Sequence, residues 1–275
     1  MKKINKIIVA LFLVTISSSC SLPLQDPFEF EAEDYIKEEP FKDVTAWEFI
    51  QTRTSLRDPD NTFVLRSNAN DTNALNATGD NLDIFIAAIK KLGMESYYNQ
   101  TSTTKRTYLL LNNNAFTGNG SRDALRVITG VTTADNSRIN PDTIFDSFTP
   151  EQLNQLRAFL LYNIIDDYVT LLTVPKVIDV FVYPTLLPAI NVDENGVPTT
   201  GLSGLKAQMG INRLVGATRE NLNINPVGSP LPSSADIGNV AMRRYHYVFK
   251  NGVGHFVNDM RWFQPYSLYA NITVN

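Results

Sequence analysis

Apolar side chains recur at helical spacing in this chain. Residues 81–92 place them at every third or fourth position, and a glycine follows: Leu82, Phe85, Ile86, Ile89, Leu92 and Gly93. A second helix is predicted to begin at Thr149, with Thr149 as N-cap and Pro150 at the first position. A third begins at Thr45, with Glu48 at the spacing of a capping box. The pattern therefore predicts three helices, each with one buried face.

Strand-like patterns alternate with polar, Gly- and Pro-rich segments. Four segments rich in β-branched and aromatic side chains are predicted to be strands: 108–116, 168–182, 241–249 and 253–263. The first of them runs into an Asn-rich turn. Asn251–Gly252 joins the last two as a tight hairpin turn. Loops are predicted where Asn, Asp, Gly and Pro dominate: 57–80, 118–148 and 184–204. These elements predict an α+β fold.

The N-terminal segment has the organisation of an export signal. Three lysines precede an apolar run from Ile7 to Ile16, and small residues follow up to Cys20. That run suits a signal peptide and is too short to span a bilayer. We therefore predict a lipoprotein signal peptide over 1–19, a lipid on Cys20, and an acidic tether over 20–43. Residues 44–275 are then a single domain.

Composition narrows the possible functions. Removal of residues 1–19 takes away three of the 24 basic side chains and leaves 21 against 28 acidic ones, a formal charge of −7. Nucleic acid is not an expected partner, because its phosphates require basic patches. Cys20 is the only cysteine, so the domain has neither a disulfide nor a thiolate for catalysis or metal binding.

Three segments resemble conserved parts of the fasciclin (FAS1) domain family. Residues 109–116, Leu-Leu-Leu-Asn-Asn-Asn-Ala-Phe, resemble its first conserved box, and residues 251–258, Asn-Gly-Val-Gly-His-Phe-Val-Asn, resemble its second. Between them, residues 160–165, Leu-Leu-Tyr-Asn-Ile-Ile, resemble the segment that ends a helix in the family. The order of the three segments agrees, and the resemblance covers roughly residues 44–266.

The resemblance implies a FAS1-like wedge, a β-sheet flanked by helices, with enlarged loop insertions at 57–80, 118–148 and 184–240. Two positions depart from the family pattern, because Leu111 replaces the usual proline and Asn163 the usual histidine. The matching positions are expected to be structural: Asn114, Ala115, Phe116, Tyr162, Asn251, Gly252 and His255.

Individual motif residues carry more specific expectations. Ala115 and Phe116 are expected to pack under the sheet after a sharp turn. Gly252 is expected to supply a positive φ. His255 is expected to be a buried imidazole with a hydrogen-bond partner. Tyr162 has been tied to cell adhesion in the family, but beside Asn163 a structural role is favoured here.

Residues able to carry catalysis are scarce. His246 and His255 are the only histidines, and the chain has no Gly-x-Ser-x-Gly nucleophile elbow. Asp166 and Asp167 are neighbours at a helix end and point apart. Two acidic turns, at 71–73 and 193–196, do not complete a calcium-binding loop. We predict no enzyme activity, no metal and no cofactor.

Three hypotheses of function remain. The first is an envelope-anchored binding or adhesion lipoprotein, with a protein partner. The second is an accessory glycan-binding lipoprotein of an outer-membrane polysaccharide-uptake system, in which exposed aromatic side chains would stack on sugar rings. The third, a hydrolase, is disfavoured. The expected location is the outer membrane, facing either the periplasm or the cell exterior and held there by the N-terminal lipid.

Overall fold

The computed structural model describes residues 39–55, 57–62, 81–101, 105–117, 122–131, 139–195, 197–213 and 221–274. The predicted signal peptide, Cys20 and most of the tether lie outside these residues, as does the acidic turn at 71–73. Residues from Glu39 to the C-terminus form one compact unit. No helix among the described residues is long and apolar enough to cross a membrane.

One strongly curled sheet of eight strands, a half-barrel, organises the mixed α+β fold. Its strands are β1 Arg106–Leu111, β2 Ile164–Ile165, β3 Phe181–Val192, β4 Pro198–Arg213, β5 Leu222–Ile224, β6 Val240–Ala241, β7 Arg244–Phe249 and β8 Gly252–Val257. They lie in the order β6-β5-β4-β3-β2-β1-β8-β7. The pairing of β1 with β8 is parallel and every other described pairing is antiparallel.

The two edges of this sheet are consecutive in sequence. Strands β6 and β7 lie at opposite ends of the strand order, yet only Met242 and Arg243 separate them. The Met242 N–H donates to the Leu222 carbonyl of β5, and the Arg243 N–H donates to the Phe256 carbonyl of β8, both at 2.8 Å. The curl therefore brings the edges close enough for two residues to bridge them.

Short helices supply the remaining regular structure: α1 Ala46–Gln51, α2 Asp83–Lys91, α3 Glu95–Asn99, α4 Asn113–Phe116, α5 Ala124–Thr129, α6 Pro150–Tyr162 and a 3-10 turn at Tyr266–Tyr269. The three predicted helix starts are confirmed within one or two residues. Thr45 and Thr149 each form a full capping box, in which side chain and backbone bond reciprocally with the residue three positions on.

Aromatic side chains pack the helices together within the core. The Phe116 ring lies 5.6 Å from that of Phe159 on α6 and 6.5 Å from that of Phe85 on α2. Phe159 in turn contacts Tyr266 with the ring centroids 5.6 Å apart. All four side chains are fully buried, so the first box, two helices and the C-terminal turn share one core.

Several segments differ from the predictions. One is helix α5, Ala124–Thr129, which lies inside the predicted loop 118–148 because its Leu125 and Ile128 pack into the core. Residues 168–180 are turns rather than strands, because hydroxyls of Thr170 and Thr173 bond to the local backbone and compete with sheet pairing. Residues 184–204, predicted as loop, belong mostly to the long β3–β4 hairpin, so the expected insertion at 184–240 supplies most of β3 and all of β4 and β5 to the sheet. Register shifts accommodate the prolines of β3.

The ends of two other predicted strands also move. The strand expected over 241–249 is divided at Met242–Arg243, where the chain passes from one edge of the sheet to the other. The strand expected over 253–263 ends at Val257. Its remainder turns away from the sheet, and Met260 there is buried in the core.

Candidate functional site

The first box positions a short helix. Asn112 is its N-cap, and its Oδ1 accepts hydrogen bonds from the N–H groups of Asn114 (3.1 Å) and Ala115 (3.3 Å). Ala115 and Phe116 are fully buried, as expected, but they lie on helix α4 rather than after a simple turn. Asn114 is half-buried. These side chains form the local structure and leave no reactive group in a cleft.

A polar side chain of the first box that was not among the expected motif residues anchors this helix. Asn113 is fully buried; its Oδ1 accepts from the Ile84 N–H (3.0 Å) and its Nδ2 donates to the Asp83 carboxylate (3.2 Å). Asp83 also accepts from the N–H and hydroxyl of Ser55, at 2.9 and 2.7 Å. Sequence reasoning missed Asp83 because it stands at the start of an amphipathic helix, where an acidic residue is ordinary.

Asn251 in the second box joins two distant segments. Its Oδ1 accepts from the N–H of Ala46 on α1 (2.9 Å), and its Nδ2 donates to the carbonyl of Tyr98 on α3 (2.8 Å). Asn251 is buried, so both bonds are shielded from water. This side chain therefore joins helices α1 and α3 to the β7–β8 turn.

Gly252 is required by a close approach rather than by a left-handed conformation. Its φ is 157°, which is nearly extended backbone. A Cβ at this position would overlap the carbonyl of Arg106 and lie 2.9 Å from the ring of Tyr108. The φ of Gly252 is positive, as expected, but this position requires glycine mainly because β1, its parallel neighbour, lies too close to leave room for a Cβ.

The two histidines lie side by side, which the sequence did not indicate. Their ring centroids are 5.8 Å apart. His255 Nε2 lies 2.8 Å from the Val169 carbonyl and His255 Nδ1 accepts from the His246 N–H at 3.3 Å. His246 is in the left-handed region, with φ at 69°, and its Nε2 accepts from the Leu171 N–H at 2.6 Å. Together they fix the turn that follows β2.

His255 is a structural residue in this arrangement. It is fully buried, and with Nδ1 accepting a hydrogen bond, Nε2 carries the proton and donates to Val169. Burial lowers the pKa of His255 to about 4, although its bond to Val169 acts in the opposite direction. The neutral imidazole thus has both nitrogens occupied by backbone groups, and neither remains for a substrate.

Tyr162 is also inaccessible. Its hydroxyl donates to the Gln208 carbonyl (3.1 Å) and accepts from Asn225 Nδ2 (2.9 Å), and the side chain is fully buried. Burial raises the pKa of this hydroxyl, partly offset by the bond from Asn225. A direct adhesive contact through Tyr162 would need the core to open, which favours the structural role.

A buried ion cluster lies near the C-terminal segment. Arg261 pairs with Asp236 and with Asp259 (3.8 Å), and Arg122 lies 3.6 Å from Asp236. Arg261 is 3% exposed, so the cluster holds the segment around Asp236 against the chain after β8. Sequence reasoning missed it because the partners are distant in the chain and no spacing relates them.

The carboxylate candidates behave as surface groups. Asp166, directly after β2, pairs with Lys206 on β4 and with Arg106 on β1. Desolvation acts to raise its pKa, but these two cations outweigh it and lower the pKa. Asp193 Oδ1 accepts from the N–H groups of Asn195 and Val197, which closes a turn. Within the described ranges no three His, Cys, Asp or Glu side chains form a group able to hold a metal.

A charged groove of about 330 Å³ lies beside helix α2. Arg57 pairs with Asp142 through two contacts of 2.7 and 3.0 Å, and Lys91 pairs with Asp146 at 2.9 Å. Its charges are therefore largely satisfied within the protein.

The most exposed apolar side chains lie on the turns after β2. Leu172 is 86% exposed and Ile178 is 88% exposed, with Val177 also exposed between them. We call residues 171–178 the apolar loop. Val174 in the middle of it is fully buried and fixes it to the core. It is the clearest interaction surface in the part of the chain that the structure describes.

Aromatic side chains do not form a comparable surface. Every aromatic side chain that the structure describes is buried or half-buried. Both tryptophans follow this rule, because Trp47 is buried and Trp262 packs against the core. A flat, exposed ring on which a sugar would stack is thus missing from the described surface. No protein-family model matches the chain, and a search of curated proteins finds no match.

Proposed function

We propose that this protein is an envelope-anchored, non-catalytic binding lipoprotein with a fasciclin-like domain. One observation carries the proposal. The two segments that resemble the FAS1 boxes are far apart in sequence, yet Leu109–Leu111 of the first pair with His255–Val257 of the second, within a continuous parallel pairing of β1 with β8. A resemblance in sequence does not require that two segments be neighbours in the fold. Their pairing therefore supports one structural unit of the FAS1 kind.

The geometry of the motif residues supports a binding role over catalysis. Asn251 and Asn113 use their side-chain bonds on backbone groups and on Asp83, and His255 is neutral with both nitrogens occupied. A general base must reach the proton that it removes, and these groups are enclosed. The glycan-binding alternative has weaker support, because no described aromatic side chain is exposed for stacking.

Anchoring is tested by labelling cells with palmitate and fractionating them. The wild type is expected to carry label and to sediment with the outer membrane, whereas Cys20→Ala is expected to lose both properties. A labelled, membrane-bound Cys20→Ala protein would refute the lipid anchor. Ser19→Ala is the matched control, because it keeps a small residue before the cysteine.

Binding is tested on cells that display the anchored protein. Attachment to immobilised envelope proteins and to a polysaccharide panel is compared between the wild type and a deletion strain. If cells with the protein attach better only to the protein surfaces, the result supports the adhesion role. If they attach better only to a polysaccharide, the result supports the glycan-uptake alternative instead. Equal attachment of both strains to every surface would contradict a binding function.

A further inference from the structure

The first half of the apolar loop, residues 171–174, is held by hydrogen bonds although Leu172 is exposed. The Leu171 N–H donates to His246 at 2.6 Å, and the Leu171 carbonyl accepts from Arg213 at 2.9 Å. The backbone N–H groups of Thr173 and Val174 both donate to the Thr170 carbonyl. Backbone hydrogen bonds of the two neighbouring residues, Leu171 and Thr173, therefore hold Leu172 in its exposed position.

The point where the tether enters the domain lies beside this loop. Phe41 packs against Tyr247 on β7, with the ring centroids 6.0 Å apart, and the preceding residue, His246, binds the loop at Leu171. Burial and the nearby carboxylate of Glu39 together raise the pKa of Tyr168, which precedes the loop. A chain arriving from a lipid at Cys20 therefore reaches the domain close to Leu171, where the apolar loop begins.

The chemistry of the loop favours lipid over protein. Protein interfaces concentrate energy in aromatic and arginine side chains, whereas the exposed apolar residues here are all aliphatic. Lys176 stands between Pro175 and Val177 and carries the one positive charge of the loop, while the exposed aliphatic side chains suit the acyl region of a phospholipid surface. Asp179 follows directly, so the segment is nearly neutral and its insertion depends on apolar contact.

We propose that the apolar loop inserts Leu172, Val177 and Ile178 into the phospholipid surface to which the protein is anchored. This inference rests on the proposed lipid anchor, because the tether supplies the local concentration. The 18 residues between Cys20 and Glu39 span on the order of 60 Å when extended, enough to let the loop reach the bilayer. Loop and lipid then act as two membrane contacts that orient the domain.

The test is quenching of a tryptophan placed at the tip of the loop. Full-length lipoprotein carrying Leu172→Trp is reconstituted into phosphatidylcholine vesicles with brominated acyl chains. The matched control is Val197→Trp, a 56% exposed position at the far end of the β3–β4 hairpin. Wild-type emission from Trp47 and Trp262 is subtracted from both.

The fluorescence that Leu172→Trp adds is expected to fall about twofold in the brominated vesicles and to shift to shorter wavelength. High salt should not change this quenching, and the tryptophan of the control should stay exposed to solvent. Ile178→Trp repeats the measurement at a second tip. Unquenched tryptophan at both tips in protein that floats with the vesicles would overturn the loop proposal and leave the anchor intact. Protein that does not float would refute the anchor and the proposal with it.

Two further outcomes would also overturn the inference. Equal quenching at positions 172 and 197 would show that the whole domain lies on the lipid without selecting the loop. Quenching that appears only after outer-membrane proteins are added to the vesicles would assign the loop to a protein partner.

Discussion

Acidification tests the structural role of His255 quantitatively. A buried imidazole with a pKa of about 4 in the folded protein and an ordinary value of 6.5 in the unfolded chain binds fewer protons when folded. The unfolded state therefore takes up protons first as the pH falls from 6.5 to 4, and stability decreases across that window. Well above pH 6.5 both states are neutral and the contribution is complete.

The two pKa values give the size of the effect. Between pH 7.5 and pH 5.0 the free energy of unfolding is expected to fall by about 2 kcal/mol from His255 alone. Full burial means that solvent screening does not reduce this figure. The carboxylate of Asp166, whose pKa is lowered from an ordinary 3.8, loses its contribution only in more acidic solution, so pH 5.0 separates the two effects.

Urea unfolding followed by tryptophan fluorescence at the two pH values measures this difference. His255→Gln removes the titrating ring, so its pH dependence should be smaller than that of the wild type by about 2 kcal/mol. His246→Gln is the control, because it removes the other histidine and keeps His255. An identical pH dependence in the wild type and His255→Gln would refute the account.

Three further substitutions probe the second box and the surface. Asn251→Ala should lower the free energy of unfolding, measured with urea, by about 2–5 kcal/mol, since it leaves the buried Ala46 N–H and Tyr98 carbonyl unpaired. A loss below about 1 kcal/mol would contradict the role of Asn251 in joining α1 and α3 to the β7–β8 turn. Gly252→Ala should abolish soluble expression or lower the melting temperature sharply, because its methyl group would enter the backbone of β1. Lys206→Ala should change stability by less than about 1 kcal/mol, as expected for an exposed ion pair.

Local signals made part of the fold predictable. Thr45 and Thr149 specify their helix starts through bonds within four residues, so the sequence alone contains the whole interaction. The Asn251–Gly252 turn and the burial of Phe116 were likewise predicted correctly. Each of these features depends on neighbours along the chain or on hydrophobicity alone.

Features that depend on long-range pairing could not be predicted from the sequence. Pro184 and Pro188 indicated a loop, but the sheet accepts them in β3 because register shifts there relax the demand for an N–H at each position. The contact between His246 and His255 depends on an irregular pairing of β7 with β8, which no residue pattern encodes. The exposed tips of the apolar loop were mistaken for strand residues because hydrophobicity does not report burial.

The parallel pairing of β1 with β8 also governs when the domain can fold. Arg106 pairs with Gly252, so the centre of the sheet is incomplete until almost the whole chain is available. Non-local pairing of this kind slows folding, because the loop between the strands must close first. For the exported chain that we propose, slow folding has a use, because it lengthens the time in which the polypeptide is still unfolded and fit for translocation.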